Sequence, residues 1–90
     1  MDTSGPRPDP RAVQVSVTDE ELTVDLADGR RVSVPLAWFP RLLHADPRQR
    51  ENWQLLGEGH GIHWPELDED ISVEGLLRGA STPGASRRAV

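Results

Sequence analysis

The 90-residue sequence contains no cysteine, no lysine and no tyrosine, and its only aromatic residues are three tryptophans and one phenylalanine. Without thiols there is no disulfide framework, no sulfur nucleophile and no cysteine-based zinc site, so any metal would need histidine and carboxylate ligands. No apolar run approaches the roughly 18 residues of a membrane span. The N-terminus also lacks the apolar core of a secretory signal, so a soluble cytoplasmic protein without membrane contact is expected. A chain of this length makes one domain and buries only about 60% of its unfolded surface. That predicts modest stability and leaves no room for a deep substrate cavity.

Positive charge is also scarce: 10 arginines face 15 acidic residues, for a net charge of −5. Residues 12 to 79 alone hold 13 acids and 6 arginines, so the body would repel a phosphate backbone. The segment "MDTSGPRPDPR" has prolines at 6, 8 and 10 and no apolar residue after Met1, and "ASTPGASRRAV" is similarly poor in apolar side chains. Residues 1–11 and 80–90 are therefore expected to be disordered tails around a single α+β domain at 12–79.

Within that domain, "AVQVSVTDEELTVDLADGRRVSVPL" alternates apolar and polar residues with period two, which predicts a three-stranded antiparallel meander with one buried face. The expected inward set is Val13, Val15, Val17, Leu22, Val24, Leu26, Val32, Val34 and Leu36. Residues paired across strands share a face, so Val17 opposite Leu22 requires an even loop, here "TDEE". Val24 opposite Val32 and Leu22 opposite Val34 require an odd loop, Ala27-Asp28-Gly29, with Gly29 in a left-handed bulge position.

Pro35 and Pro40 end the ladder, and "WFPRLLHADPRQREN" predicts a short helical connection that breaks at Asp46. There Asp46 as N-cap, Pro47 at the first helical position and Gln49 as capping-box partner start a second turn. "WQLLGEGHGIHWP" predicts a second hairpin around "GEGH", pairing Leu55 with Ile62 and Trp53 with Trp64, and stopped by Pro65. An acidic linker, "ELDED", then leads to a short C-terminal helix. That helix is capped by Ser72, stapled by Ile71 and Leu76 and stopped at Gly79.

Several residue groups could carry chemistry. His60 and His63 sit near Asp68, Glu69 and Asp70, but on a strand His63 points away from Ile62 and Trp64 while His60 lies in the turn. The two imidazoles therefore do not face one ion, and "DED" lacks the ligand spacing and glycine of a calcium loop. No metal or cofactor is expected. Ser33 or Ser72 with His44 or His63 lacks a nucleophile elbow or an oxyanion-forming glycine motif, so no catalytic residues and no enzymatic reaction are expected. The glycine-rich tip from Gly57 to Gly61 lacks the Lys-Ser/Thr of a phosphate loop and reads as a turn.

"RLLHADPRQR" is the only locally basic stretch within residues 12–79, so Arg41, Arg48 and Arg50 are the candidate contacts of a weak nucleic-acid binder. The competing reading pairs them with the acidic segment Glu66, Asp68, Glu69, Asp70 and Glu74. Trp38 and Phe39 are adjacent and point about 100° apart on a helix start, leaving one of them for the surface. An exposed Trp38 beside Arg41 would make an interface anchor.

With "LTVDLADGRRVSV", "WFPRLL" and "GIHWPELDEDISVEGLL" in place, the chain resembles the bacterial family known as domain of unknown function 2442 over residues 12–79. The Asp28-Gly29 turn and the Trp64-Pro65 to Asp70 ending are the most specific parts of the likeness. The resemblance implies a small α+β domain, often encoded beside another small protein in neighbourhoods that look like toxin–antitoxin loci. It carries no catalytic or binding residues. Some relatives continue into a DNA-binding helix-turn-helix, whereas residues 80–90 have no such pattern, so autonomous transcriptional control is not expected.

Residues and resemblance together predict a non-enzymatic protein-interaction module that binds a small protein encoded nearby, with Trp38, Arg41, Asp68, Glu69 and Asp70 as partner-binding residues. A homodimer through an exposed edge strand is a further expectation. The rival is a small metal- or ligand-binding protein or enzyme using His63 and the carboxylates of residues 66–70.

Overall fold

Alternation and turn chemistry set the first sheet. In the computed structural model, which describes residues 8–79, the strands β1 (Ala12–Val17), β2 (Glu21–Leu26) and β3 (Arg31–Pro35) form an antiparallel meander in the order β1-β2-β3. Val17 pairs with Leu22, Leu22 with Val34 and Val24 with Val32, the registers that loop parity requires. Gly29 has φ +95°, its N–H donates to the Leu26 carbonyl at 3.0 Å, and the Leu26 N–H donates to the Arg30 carbonyl at 2.8 Å. The three-residue loop therefore closes with a left-handed glycine.

One strand departs from simple alternation. Ala12 pairs with Leu26 but Gln14 pairs with Asp25, so Val13 is an extra residue in β1. A bulge shifts the phase of the side chains, which turns Ala12 inward at 2% exposure and leaves Val13, expected in the core, 54% exposed.

Residues 9–11, assigned to the tail by composition, are tied to the β2–β3 turn. The Asp9 N–H donates to Asp28 Oδ2 at 2.8 Å, and the Ala27 N–H donates to the Arg11 carbonyl at 2.8 Å. Residues 1–7 and 80–90 of the expected tails lie outside the described residues. Asp28 also accepts from the Arg30 side chain and backbone. These bonds, the Arg30 guanidinium first, hold its carboxyl at about 2, down from 3.8.

A folded-state pKa below the unfolded one stabilises fully above the unfolded value, and that contribution is lost as pH falls through the folded value. Asp28→Asn is therefore expected to flatten the fall in unfolding midpoint between pH 4 and pH 2, about the window set by those two values. Acid-unfolding curves that overlay those of the parent would show that this carboxylate contributes nothing.

Pro35 ends β3, and a 3₁₀ turn at Leu36–Trp38 leads into α1 (Pro40–Leu43) and α2 (Pro47–Glu51). Both helices start with proline at the first position. Asp46 accepts from the Gln49 N–H while the Gln49 side chain accepts from the Asp46 N–H, completing the capping box.

The second sheet contains the expected hairpin, β4 (Gln54–Leu56) and β5 (Gly61–Trp64), with Leu55 opposite Ile62 around residues 57–60. It also contains a third strand in place of the acidic linker. β6 (Glu69–Ser72) pairs with β5, His63 opposite Asp70 and Trp64 opposite Glu69, to give the order β4-β5-β6. Asp68, at φ +52°, closes the four-residue turn between β5 and β6. The chain then enters α3 (Val73–Arg78), capped by Ser72 accepting from the Gly75 N–H and stopped by Gly79 at φ +85°.

The core lies between the sheets. Leu22, Val24 and Leu36 from the first half meet Ile62, Trp64 and Ile71 from the second, with Phe39, Leu42, Val73 and Leu76 from the helical segments. Trp38 and Trp53 pack only partly against this cluster, so Phe39 is the buried member of the Trp38-Phe39 pair. Trp53 and Leu55 were expected inside with Trp64 and Ile62. β4 is an edge strand and is covered on one side only, which leaves Leu55 36% exposed.

Among the described residues no helix is long and apolar enough to cross a membrane.

Candidate functional site

Period-two geometry gives the second sheet two unlike faces. Ile62, Trp64, Glu69 and Ile71 point inward and are buried, so the outer face carries two cross-strand rows: Gln54, His63 and Asp70, then Leu56, Gly61 and Ser72. Because Gly61 has no side chain, the second row contains a shallow open hollow of about 450 Å³. Leu56, Gly57, His60, Gly61, Asp70, Ile71 and Ser72 line it.

His63 Nδ1 is hydrogen-bonded to Asp70 Oδ1 across the β5–β6 pair, and the two side chains are 28% and 70% exposed. The structure thus joins His63 to Asp70 among the carboxylates of residues 66–70. Glu69 lies on the opposite face at 5% exposure, and Asp68 sits in the turn with its side chain 96% exposed. Among the described residues no group of three or more histidine, aspartate or glutamate side chains is placed to hold one ion.

The arginines of the locally basic stretch have separate roles within the fold. Arg48 makes a two-pronged pair with Glu66 at 2.9 and 3.0 Å, and Asn52 donates to the same carboxylate at 3.0 Å. The Arg48 guanidinium, ahead of Asn52, lowers the Glu66 pKa. Arg41 donates to the Leu67 and Asp68 carbonyls, with Asp68 Oδ2 3.9 Å away. These two residues pin the helical connection to the β5–β6 turn.

Arg50 is buried. Its Nε and Nη2 donate to the carbonyls of Leu42 and Leu43 at 2.9 Å each, and its Nη1 meets Asp19 Oδ1 at 2.7 Å. The backbone carbonyl of Arg50 accepts from Trp64 Nε1 at 3.0 Å, so one residue ends α1, reaches the β1–β2 loop and anchors the core tryptophan. Arg41, Arg48 and Arg50 therefore form no common basic stripe.

Of the residues expected to bind a partner, Arg41 and Asp68 come together, Asp70 lies on the outer face with His63, and Trp38 is half-buried. Glu69 is withdrawn beneath the surface, because pairing with Trp64 places it on the inner face of β6. Sequence reasoning did not single out Leu56 as part of a surface site. The only signal for it was a leucine pair, Leu55-Leu56, in which one member must face outward.

No curated protein matches the chain. Among solved structures it is similar to a protein of unknown function from Rhodospirillum rubrum ATCC 11170, with 30% identity, coverage of 87% of this chain and 96% of that one, and a TM-score of 0.72. It also shares its fold with an uncharacterized protein from Chromobacterium violaceum, with 22% identity, coverage of 82% of this chain and 70% of that one, and a TM-score of 0.69. Residues 12–82 match the family described as "Protein of unknown function (DUF2442)". The match spans both sheets and all three helices, so the chain belongs to the DUF2442 family.

Proposed function

We propose that this domain is a non-enzymatic protein-interaction module, the antitoxin-like partner of a small protein with a basic surface encoded beside it. The observation that carries this reading is the internal use of positive charge. Arg30, Arg31, Arg41, Arg48, Arg50 and Arg78 each have a carboxylate partner within the domain. The surplus acids remain outside, among them Glu20, Glu21 and Glu51, which are exposed and have no ion-pair partner among the described residues. A surface of this kind steers basic proteins and disfavours nucleic acid. The surplus of negative charge also disfavours the homodimer considered from sequence.

The test is to mix the chain with the product of the adjacent small gene and measure mass by light scattering. A stoichiometric complex is expected. A chain that stays monomeric at micromolar concentrations of both proteins would count against the reading.

A further inference from the structure

We infer that the free edge of β4 is a strand-addition site for an extended segment of the partner that alternates basic and apolar residues, with Leu56 at the rim of the Gly61 hollow as its apolar contact. This deepens the proposed interaction and rests on it.

The sheet edges are not equivalent. β1 is packed by α2 and by the Gly57–Gly59 turn, β3 by α3, and β6, the opposite edge of the second sheet, carries the acidic residues Glu69 and Asp70. The substantial contacts of β4 are with β5 and that same turn, so its outer edge pairs with no strand. Natural edge strands are commonly guarded by charge, proline, a bulge or by being very short, and β4 has only the last of these. β4 is Gln-Leu-Leu, all three residues are exposed, and Leu55 and Leu56 are 36% and 43% exposed on opposite faces. Backbone pairing along such an edge supplies affinity, while alternate side chains of the added strand supply specificity. Those on the outer face would lie beside Leu56 and the hollow.

Charge selects the occupant. Glu51 precedes β4 and Glu58 follows it, and both are exposed. An antiparallel pairing of β4 with a second copy would bring Glu51 of one chain toward Glu58 of the other, placing like charges together, whereas a basic strand meets opposite charge at both ends.

The test is an NMR titration of the full chain with two end-capped peptides, one alternating valine with lysine and arginine, the other alternating valine with glutamate. The basic peptide is expected to give saturable amide shifts centred on Gln54–Leu56 and the facing residues of β5, and the acidic peptide none. Leu56→Lys is expected to weaken binding at least tenfold with an unchanged unfolding midpoint. Ser33→Lys, which adds the same charge to the outer face of the first sheet, is expected to change it little. Binding centred on another face would overturn the site while leaving a basic partner in place. Absence of binding by the basic peptide, or self-association through β4 on sedimentation, would overturn the site, and the light-scattering experiment would then decide the interaction reading separately.

Discussion

Gly59→Ala is expected to cost about 2–6 kcal/mol, combining 1–3 for a side chain forced into left-handed backbone and 1–3 for overpacking. Gly59 has φ +106°, and a Cβ there would stand 2.5 Å from the Ala12 carbonyl oxygen and 3.0 Å from the Ala12 nitrogen. Both atoms belong to the backbone, so no side-chain rotation relieves the clash. Relief would require moving the 57–59 turn away from the bulged start of β1, where residues 9–11 are also tied down.

For a domain of this size, a loss of that magnitude lowers the unfolding midpoint by roughly 10 °C or more. Gly29→Ala is the control. Gly29 has a similar φ of +95°, but a Cβ added there meets nothing within 4 Å. Only the conformational penalty applies at Gly29. Thermal denaturation of the two variants separates the clash from the conformational penalty, and equal losses would refute the close approach at Ala12.

Arg50→Ala is expected to cost about 3 kcal/mol, because truncation removes two bonds to backbone carbonyls at a helix end and one to a carboxylate. Leu42's carbonyl keeps the Ala45 N–H at 3.2 Å, so the loss falls mainly on the Leu43 carbonyl and on the packing of the arginine stem. Lysine, a point charge without the planar fork, should restore only part of this.

Two comparisons identify the cause. Asp19 is 91% exposed in its side chain, so Asp19→Asn should change stability far less than Arg50→Ala if the carbonyl bonds dominate. Arg48→Ala breaks an exposed ion pair and should cost under about 1 kcal/mol. Urea denaturation of the three variants checks the ranking. An Asp19→Asn loss equal to that of Arg50→Ala would place the energy in the ion pair instead.

The residues the sequence could place were those whose neighbours are fixed by parity and local capping. Val24 opposite Val32, the left-handed Gly29, the Asp46–Gln49 box and the Ser72 cap all depend on contacts a few residues apart or on one pleat rule. The bulge at Val13 left no local mark, since a bulge needs no special side chain, and one extra residue reverses every inward assignment before it. β6 was hidden by its composition. "ELDED" looks like a solvated linker, yet Glu69 occupies the inward position opposite Trp64.

Arg50 could not be told from Arg48 by type or spacing. Only the return of the chain over α1 places one beneath the Leu42 and Leu43 carbonyls and the other in solvent beside Glu66. The candidate site was correspondingly less legible than the fold. Arg41, Asp68 and Asp70 were named from charge, while the free leucine edge of β4 follows from tertiary arrangement.

In this reading the acidic domain docks a basic partner at the uncharged free edge of β4. Calorimetric titration of the adjacent gene product into the parent chain, Leu56→Lys and Ser33→Lys, at low and at raised ionic strength, tests it most directly. One-to-one binding is expected that weakens as salt rises, falls at least tenfold with Leu56→Lys and is little changed by Ser33→Lys. Binding indifferent to both salt and Leu56→Lys, or no binding at either ionic strength, would contradict it.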